Sequence, residues 1–198
     1  MNLIEILLQD LKIRPYRRDD IPHFYAISMR EDFRAYISNF SATHTLSDFI
    51  RNEQQTLDEQ VWKTRRYVLE KDGITVAYPW IVIHDLHARM YELSLVSHPD
   101  HQFGLGYLSM LKMFDFLFYE LNAARVLGRI AQDNHRIFAP RVREGFSGYS
   151  LRPQHSHMGD RVKSILEWTF SREAYETFKD ERKQEWLERS QRFRSKRP

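Results

Sequence analysis

The chain has 198 residues and a mass of 23.9 kDa. That is enough for one domain with at most a small appendage, burying roughly 70% of its unfolded surface. Apolar residues at 42% with 14% aromatics exclude intrinsic disorder, and seven Gly with seven Pro exclude collagen-like or low-complexity material. The absence of Cys excludes a disulfide scaffold, a thiolate zinc site and a cysteine nucleophile. Ile6-Leu7-Leu8, the longest apolar run near the start, is bounded by Glu5 and Gln9-Asp10. No signal peptide or membrane span is therefore expected, and the chain reads as soluble and cytoplasmic. Net charge is +3, from 30 basic and 27 acidic residues. The last ten residues, Arg189 to Pro198, hold five Lys/Arg and no acid. Such a tail suits nucleic acid or an acidic surface, but a solvated terminus is the plainer reading. The near-neutral remainder speaks against a dedicated nucleic-acid binder.

In chain order, Leu11-Lys12-Ile13-Arg14-Pro15 alternates and stops at proline, predicting an opening strand. Asp19 or Asp20 then caps a helix with Pro22 in its first turn and Phe24, Ile27 and Met29 inward. A second helix is expected from Thr45 to Leu57, with Phe49, Ile50 and Leu57 on one face. Arg66 to Glu70 and Ile74 to Tyr78 flank Lys71-Asp72-Gly73, a hairpin signal because a primed turn needs positive φ. The second arm runs on through Trp80 to Ile83, with Pro79 implying a bulge or an edge. Met90 to Val96 reads as another strand, Met110 to Leu121 as a buried helix, and Arg125 to Ala131 as a strand. A short helix at Ile137 to Arg143, strands at Gly148 to Leu151 and Val162 to Phe170, and a charged helix capped by Ser171 complete a mixed α/β order.

The chemistry concentrates in Ser94-Leu95-Val96-Ser97-His98-Pro99-Asp100-His101-Gln102-Phe103-Gly104-Leu105-Gly106-Tyr107. A β-rich strand ends near a proline and enters a helix through Gly-x-Gly. Glycines let backbone N–H groups approach an anion, and a helix N-terminus adds partial positive charge, which suits a pyrophosphate. No Gly-Lys-Ser/Thr follows, and the third glycine of a dinucleotide fingerprint is missing. Of nine histidines six form the pairs His84/His87, His98/His101 and His155/His157, none with helical i, i+4 spacing, so no metal is expected. Phe114, Phe116, Phe118 and Tyr119 read as core sooner than as an acyl pocket.

His101-Gln102-Phe103-Gly104-Leu105-Gly106, followed by Asn134 and, after ten residues, Gly145-Phe146, resembles the GNAT superfamily of N-acetyltransferases from Ile13 to about Phe170. Ile13-Arg14-Pro15 with Arg18-Asp19-Asp20 is similar to the branch that acetylates ribosomal-protein N-termini. The resemblance implies a mixed α/β (α+β) fold: a central mixed, mostly antiparallel sheet with splayed strands, flanked by helices. It implies a 1–170 acyl-CoA-binding domain followed by a charged helix and basic tail at 171–198. Acetyl-CoA is the implied co-substrate, and a homodimer is a family expectation. Leu95 and Val96 would meet pantetheine, and Gln102, Phe103, Gly104, Leu105, Gly106 and Tyr107 would cradle the pyrophosphate. Asn134 would lie near the thioester, with Phe138 beside the cofactor, and an N–H near Leu95 would meet the developing oxyanion.

Direct attack needs a neutral primary amine. At pH 7 that costs about 4.6 kcal/mol for a lysine-like amine and about 1.4 kcal/mol for an α-amine. Glu92, on the strand that would face the thioester, is the candidate base through water, against a plain ion-paired carboxylate. The family's acids are missing: Arg141 stands where many relatives place Tyr, and Ile137 where the ribosomal-protein branch places Ser. His101 stands where Arg or Gln is usual, and Pro140 interrupts the helix after Asn134. Tyr107, His135 or Tyr149 would then serve as acid, or the thiolate leaves unaided. The acceptor stays open among protein N-termini, amino sugars, aminoglycosides and polyamines. Acidic excess between Arg30 and Glu59 favours a cationic one, though exposed helix charges explain it as well. The rival reading is a non-catalytic acyl-CoA-binding or interaction module of the same fold.

Overall fold

The computed structural model describes residues 8–30, 45–59, 63–98, 105–131, 147–158 and 161–181. Strand β1 (Leu11–Pro15) leads through a 3-10 turn (Arg18–Asp20) into helix α1 (Ile21–Ser28). Helix α2 (Leu46–Glu59) follows, then β2 (Thr64–Lys71), β3 (Ile74–Asp85) and β4 (Met90–Ser97). Helix α3 (Leu105–Asp115) ends in a π-helical turn (Phe116–Glu120) before β5 (Arg125–Ala131), β6 (Ser147–Met158) and β7 (Arg161–Ser171). Residues 172–181 form a last helix, α4. The seven strands make one sheet in the order β1-β2-β3-β4-β5-β7-β6, antiparallel throughout except for the parallel β4–β5 pair.

Side-chain alternation gives this sheet two buried faces. Leu69, Ile81, Tyr91, Leu93, Val126, Ile130, Trp168 and Phe170 pack on one side against Met113, Phe114 and Leu117 of α3 and its π turn, and against Tyr175 and Phe178 of α4. Val68, Tyr78 and Val96 pack on the other side against Ile21, Phe24 and Ile27 of α1 and Phe49 of α2. Ser171 accepts from the Ala174 N–H at 3.1 Å and so caps α4, as its position predicts. The first turns of the expected C-terminal segment thus share the main core.

The hairpin forms as its residues require, with Asp72 and Gly73 at φ 53° and 78°. Several expectations need correcting. Helix α3 starts at Leu105, five residues before Met110, and β6 and β7 extend beyond the two short runs that suggested them. Met29 is half-buried at the end of α1 instead of facing inward. Asp20 occupies the cap position of α1, yet its carboxylate makes no cap bond. It is held by a two-pronged pair with Arg14 (Nη1–Oδ2 and Nη2–Oδ1, both 2.7 Å) and accepts the Arg17 N–H at 2.8 Å. Charge-assisted forks of this kind outcompete a single cap bond.

Pro79 lies in the third of seven strands, so it marks no edge. The backbone N–H of Ile83 donates to Lys63 O at 2.7 Å, which sets odd-numbered β3 residues toward β2. The donor missing from Pro79 therefore faces β2. There the pairing lapses between Arg66↔Trp80 and Leu69↔Ala77, and a bulge follows at Leu69/Glu70. The expected helix at Ile137 to Arg143 and the Arg189 to Pro198 tail lie outside the described residues.

Candidate active site

Strands β4 and β5 pair over three rungs only: Met90↔Arg125, Tyr91↔Val126 and Glu92↔Leu127. Both strands continue, to Ser97 and to Ala131, but no longer together. The direction of the main-chain groups past that point follows from one bond. His98 N donates to Val76 O at 2.9 Å, so even-numbered β4 residues are tied to β3. The Leu93 N–H closes the last rung on Leu127; beyond it the C=O of Leu93 and the N–H and C=O groups of Leu95 and Ser97 point the other way, into the opening between β4 and β5. A ladder that stops leaves main-chain donors and acceptors for a ligand, because buried ones must be paired. The main chain of Leu95 faces this opening, whereas that of Val96 is turned to Tyr78 on β3 and its side chain is buried under α1 and α2.

At the open end of this cleft stands the start of α3. A Cβ built on Gly106 would lie 2.7 Å from Ser97 Oγ, so the first helical turn sits directly against the last residue of β4. This close approach brings the N-terminal dipole of α3, beginning at Leu105 and Gly106, to the mouth of the opening. Main-chain donors in the cleft, a helix N-terminus at its end and a glycine at the contact between them fit an extended cofactor with an anionic end, and acetyl-CoA has that shape and charge. Tyr107 follows on the same turn, with its hydroxyl buried and its ring packed against the main core. Gln102, Phe103, Gly104, Asn134, His135, Phe138, His101, Ile137, Pro140, Arg141, Gly145 and Phe146 lie outside the described residues, as does the side chain of Tyr149.

Glu92 occupies the last paired rung of β4. Tyr91 and Leu93 face the α3 side, so Glu92 projects to the opposite face. Its Oε2 accepts from Arg129 Nη1 at 2.9 Å and meets His84 Nε2 at 2.7 Å. Arg129 reaches on through Nε to Glu167 Oε2 at 2.9 Å, and Arg152 donates to Glu167 Oε1 at 2.7 Å. The row His84, Glu92, Arg129, Glu167, Arg152 therefore crosses five strands, β3, β4, β5, β7 and β6. The carboxylates are its sheltered members: Glu92 and Glu167 side chains are 12% and 13% exposed, against 35% and 50% for the arginines. The Arg152 hydrogen bond, together with Arg129, outweighs burial and holds the Glu167 carboxyl below its ordinary range.

Sequence reasoning found Glu92 and missed its companions. His84 was considered as one of a metal pair with His87; it is instead a partner of Glu92. Among the described residues no group of three or more His, Asp and Glu is placed to hold a metal ion. Three acidic residues of α2 have partners. Asp48 pairs with Arg51 and Thr45, Glu53 with Arg66 of β2, and Asp58 with Arg18 at 2.9 Å. Among the described residues they form no open acidic wall.

A mixed sheet whose one parallel pair splays beside a helix N-terminus defines a CoA-dependent acyltransferase. The acetyltransferase (GNAT) domain family matches residues 10–147, most of the chain, and the chain belongs to that family. It is accordingly an N-acetyltransferase that carries acetyl from acetyl-CoA to an amine. No curated protein matches in sequence. Among solved structures it is similar to the spermidine N-acetyltransferase of Vibrio cholerae in complex with CoA and spermine, at 16% identity and a TM-score of 0.71, covering 84% of this chain and 98% of that one. A dodecameric form of the Vibrio cholerae enzyme in an intermediate state matches at 16% identity and a TM-score of 0.65, over 84% and 96% of the two chains. A chimera of that enzyme with hSSAT matches at 15% identity and a TM-score of 0.69, over 84% and 98%. No helix among the described residues is long and apolar enough to cross a membrane.

Proposed function

We propose that the chain acetylates a cationic aliphatic amine of the polyamine kind, with acetyl-CoA in the β4–β5 opening and Glu92 drawing the proton from the acceptor ammonium through water. The position of Glu92 carries this reading: it stands on the rung where the two strands part, with its carboxylate on the face opposite α3. The solved relatives are named for spermidine, which supports a polyamine. The attraction for a cation is assigned to Glu92 and Glu167, the sheltered carboxylates of the row on the face opposite α3. The Leu95 N–H, aimed into the opening, is placed to steady negative charge developing at the acetyl oxygen. Holding both reactants at one place makes the transfer effectively unimolecular.

A protein N-terminus is the acceptor of the ribosomal-protein branch, and Arg14 with Asp20 is part of the likeness to it. Their ion pair ties β1 to the start of α1, which accounts for them without an acceptor. The test is an acceptor screen with acetyl-CoA and thiol detection, covering spermidine, spermine, aminoglycosides and Ala- or Ser-starting peptides. Polyamine turnover that falls about 100-fold in Glu92→Gln, the range of a lost general base, supports the proposal. Turnover confined to the peptides overturns the acceptor, and turnover unchanged in Glu92→Gln overturns the base.

A further inference from the structure

We infer that His84 is a positioning residue for Glu92 and that the charge on its imidazole sets how readily that carboxylate takes a proton. The inference rests on the reading of Glu92 as the base. His84 comes from β3, Glu92 from β4 and Arg129 from β5, so the three reach one point from three neighbouring strands. Both donors converge on a single oxygen, Oε2, at 2.7 and 2.9 Å. Among the described residues Oε1 has no hydrogen-bond partner and is left for a water or an acceptor. A carboxylate pinned through one oxygen presents the other in a fixed direction, which is what proton abstraction requires.

The two donors differ in kind. Arg129 is charged at every accessible pH and is shared with Glu167. His84 is the residue type whose charge changes near neutrality, and its side chain is 28% exposed, open to protons from solvent. Neutral, it donates Nε2–H and leaves Glu92 facing one full cation. Protonated, it donates the same bond and adds a second cation, which favours the ionised carboxylate and makes it a poorer base. The other charged groups nearby are Asp85, next on β3, whose Oδ1 accepts the Ala88 N–H at 2.8 Å, and Lys63 at the start of β2. Beyond Arg129 stand Glu167 and Arg152. None of these is in hydrogen-bond contact with the imidazole, so its effect on the site passes through Glu92.

The sign follows. Protonation of the imidazole slows transfer. Rates from pH 5 to 9 with spermidine, or the best acceptor of the screen, are to be compared for the native protein, His84→Gln, His84→Leu and Glu92→Gln, alongside Tm and the acetyl-CoA KM. His84→Gln keeps a donor without a titratable charge; its kcat at pH 8 is expected within about 3-fold of native and its acid limb moved down by about one pH unit. His84→Leu removes both donor and charge and is expected to lower kcat about 10-fold at pH 8, with its acid limb moved as in His84→Gln and an unchanged acetyl-CoA KM. NMR gives a readout independent of turnover: the His84 Nε2 resonance, set by the contact with Glu92 Oε2, should shift in Glu92→Gln. Acid limbs that coincide in native and His84→Gln overturn the role of His84 while leaving Glu92 as base. A native rate in Glu92→Gln removes the base and this inference with it. Equal losses in both His84 variants, accompanied by a lowered Tm, mark a structural bond and also overturn it.

Discussion

Gly128 on β5 stands directly across from Trp168 on β7. A Cβ added at Gly128 would lie 1.8 Å from Cζ2 and 2.1 Å from Cε2 of that indole. The ring would have to retreat by roughly 2 Å to restore ordinary carbon contact. It has nowhere to go: Trp168 is 4% exposed and packs edge-on against Phe114 at 6.0 Å and Phe170 at 6.4 Å. Gly→Ala in a strand gains a few tenths of a kcal/mol from the unfolded chain, while overpacking costs about 1–3 kcal/mol. The indole cannot swing aside as a surface side chain would, so Gly128→Ala belongs at or above the upper end, about 3 kcal/mol, or about 6–12 °C in Tm for a chain of this length. Gly106→Ala makes the contrast. Its new Cβ meets Ser97 Oγ at 2.7 Å and Ser97 Cβ at 3.4 Å, and the hydroxyl is free to rotate away. Helix propensity then favours alanine by about 1 kcal/mol, so stability should hold within that amount. Chemical and thermal denaturation of the two variants, with Gly128→Ala/Trp168→Leu as the rescue, decides it. Equal small effects at both glycines, or no recovery in the double variant, would refute the packing account.

Tyr175→Phe should lower stability by about 1–2 kcal/mol, since the buried hydroxyl donates to Asp115 Oδ1 at 2.8 Å or Leu111 O at 3.1 Å while Asp115 keeps Lys179 at 2.6 Å; a denaturant melt checks it, and turnover should not change. Asp20 supplies an acid-side prediction. Burial would raise its carboxyl, but Arg14 and the Arg17 N–H outweigh burial and hold it below its ordinary value. The stability it contributes is therefore fully present above the unfolded value near 3.9 and is lost as pH falls below that through the folded one. Melts from pH 7 to 2.5 should show Asp20→Asn less stable at pH 7 and less sensitive below pH 4, and parallel curves would contradict the pair. Arg14→Lys should behave as a partial loss of the same lock, because a single ammonium cannot span both Asp20 oxygens and Glu70 (2.7 Å from Nε).

What could be read from the sequence was whatever is local. Asp72-Gly73 announced its hairpin because positive φ is a property of the turn itself, and β1 and β5 begin and end where their alternation does. The Gly-x-Gly junction pointed to a strand meeting a helix, and Gly106 against Ser97 is that meeting. The charged row escaped detection because it exists only in register. His84, Glu92, Arg129 and Glu167 each look like an ordinary polar phase of one strand, and nothing in a single strand says that four phases align. Gly128 read as unremarkable for the same reason, its need set by an indole forty residues later. Around α2 the sequence shows the acids without their partners. Charges that look unbalanced along the chain are balanced across space by Arg66 and Arg18.

The central claim is that acetyl-CoA lies in the opening where β4 leaves β5. Amide hydrogen exchange with and without CoA, run beside a calorimetric titration, tests it most directly. Binding should slow exchange at Leu95 and Ser97, whose N–H groups face the opening, and at 105–107 in the first turn of α3. The even-numbered amides of β4, already bonded to β3, and the β6–β7 hairpin should change little. Calorimetric binding without protection at Leu95 and Ser97, or no binding at millimolar CoA, would contradict the account.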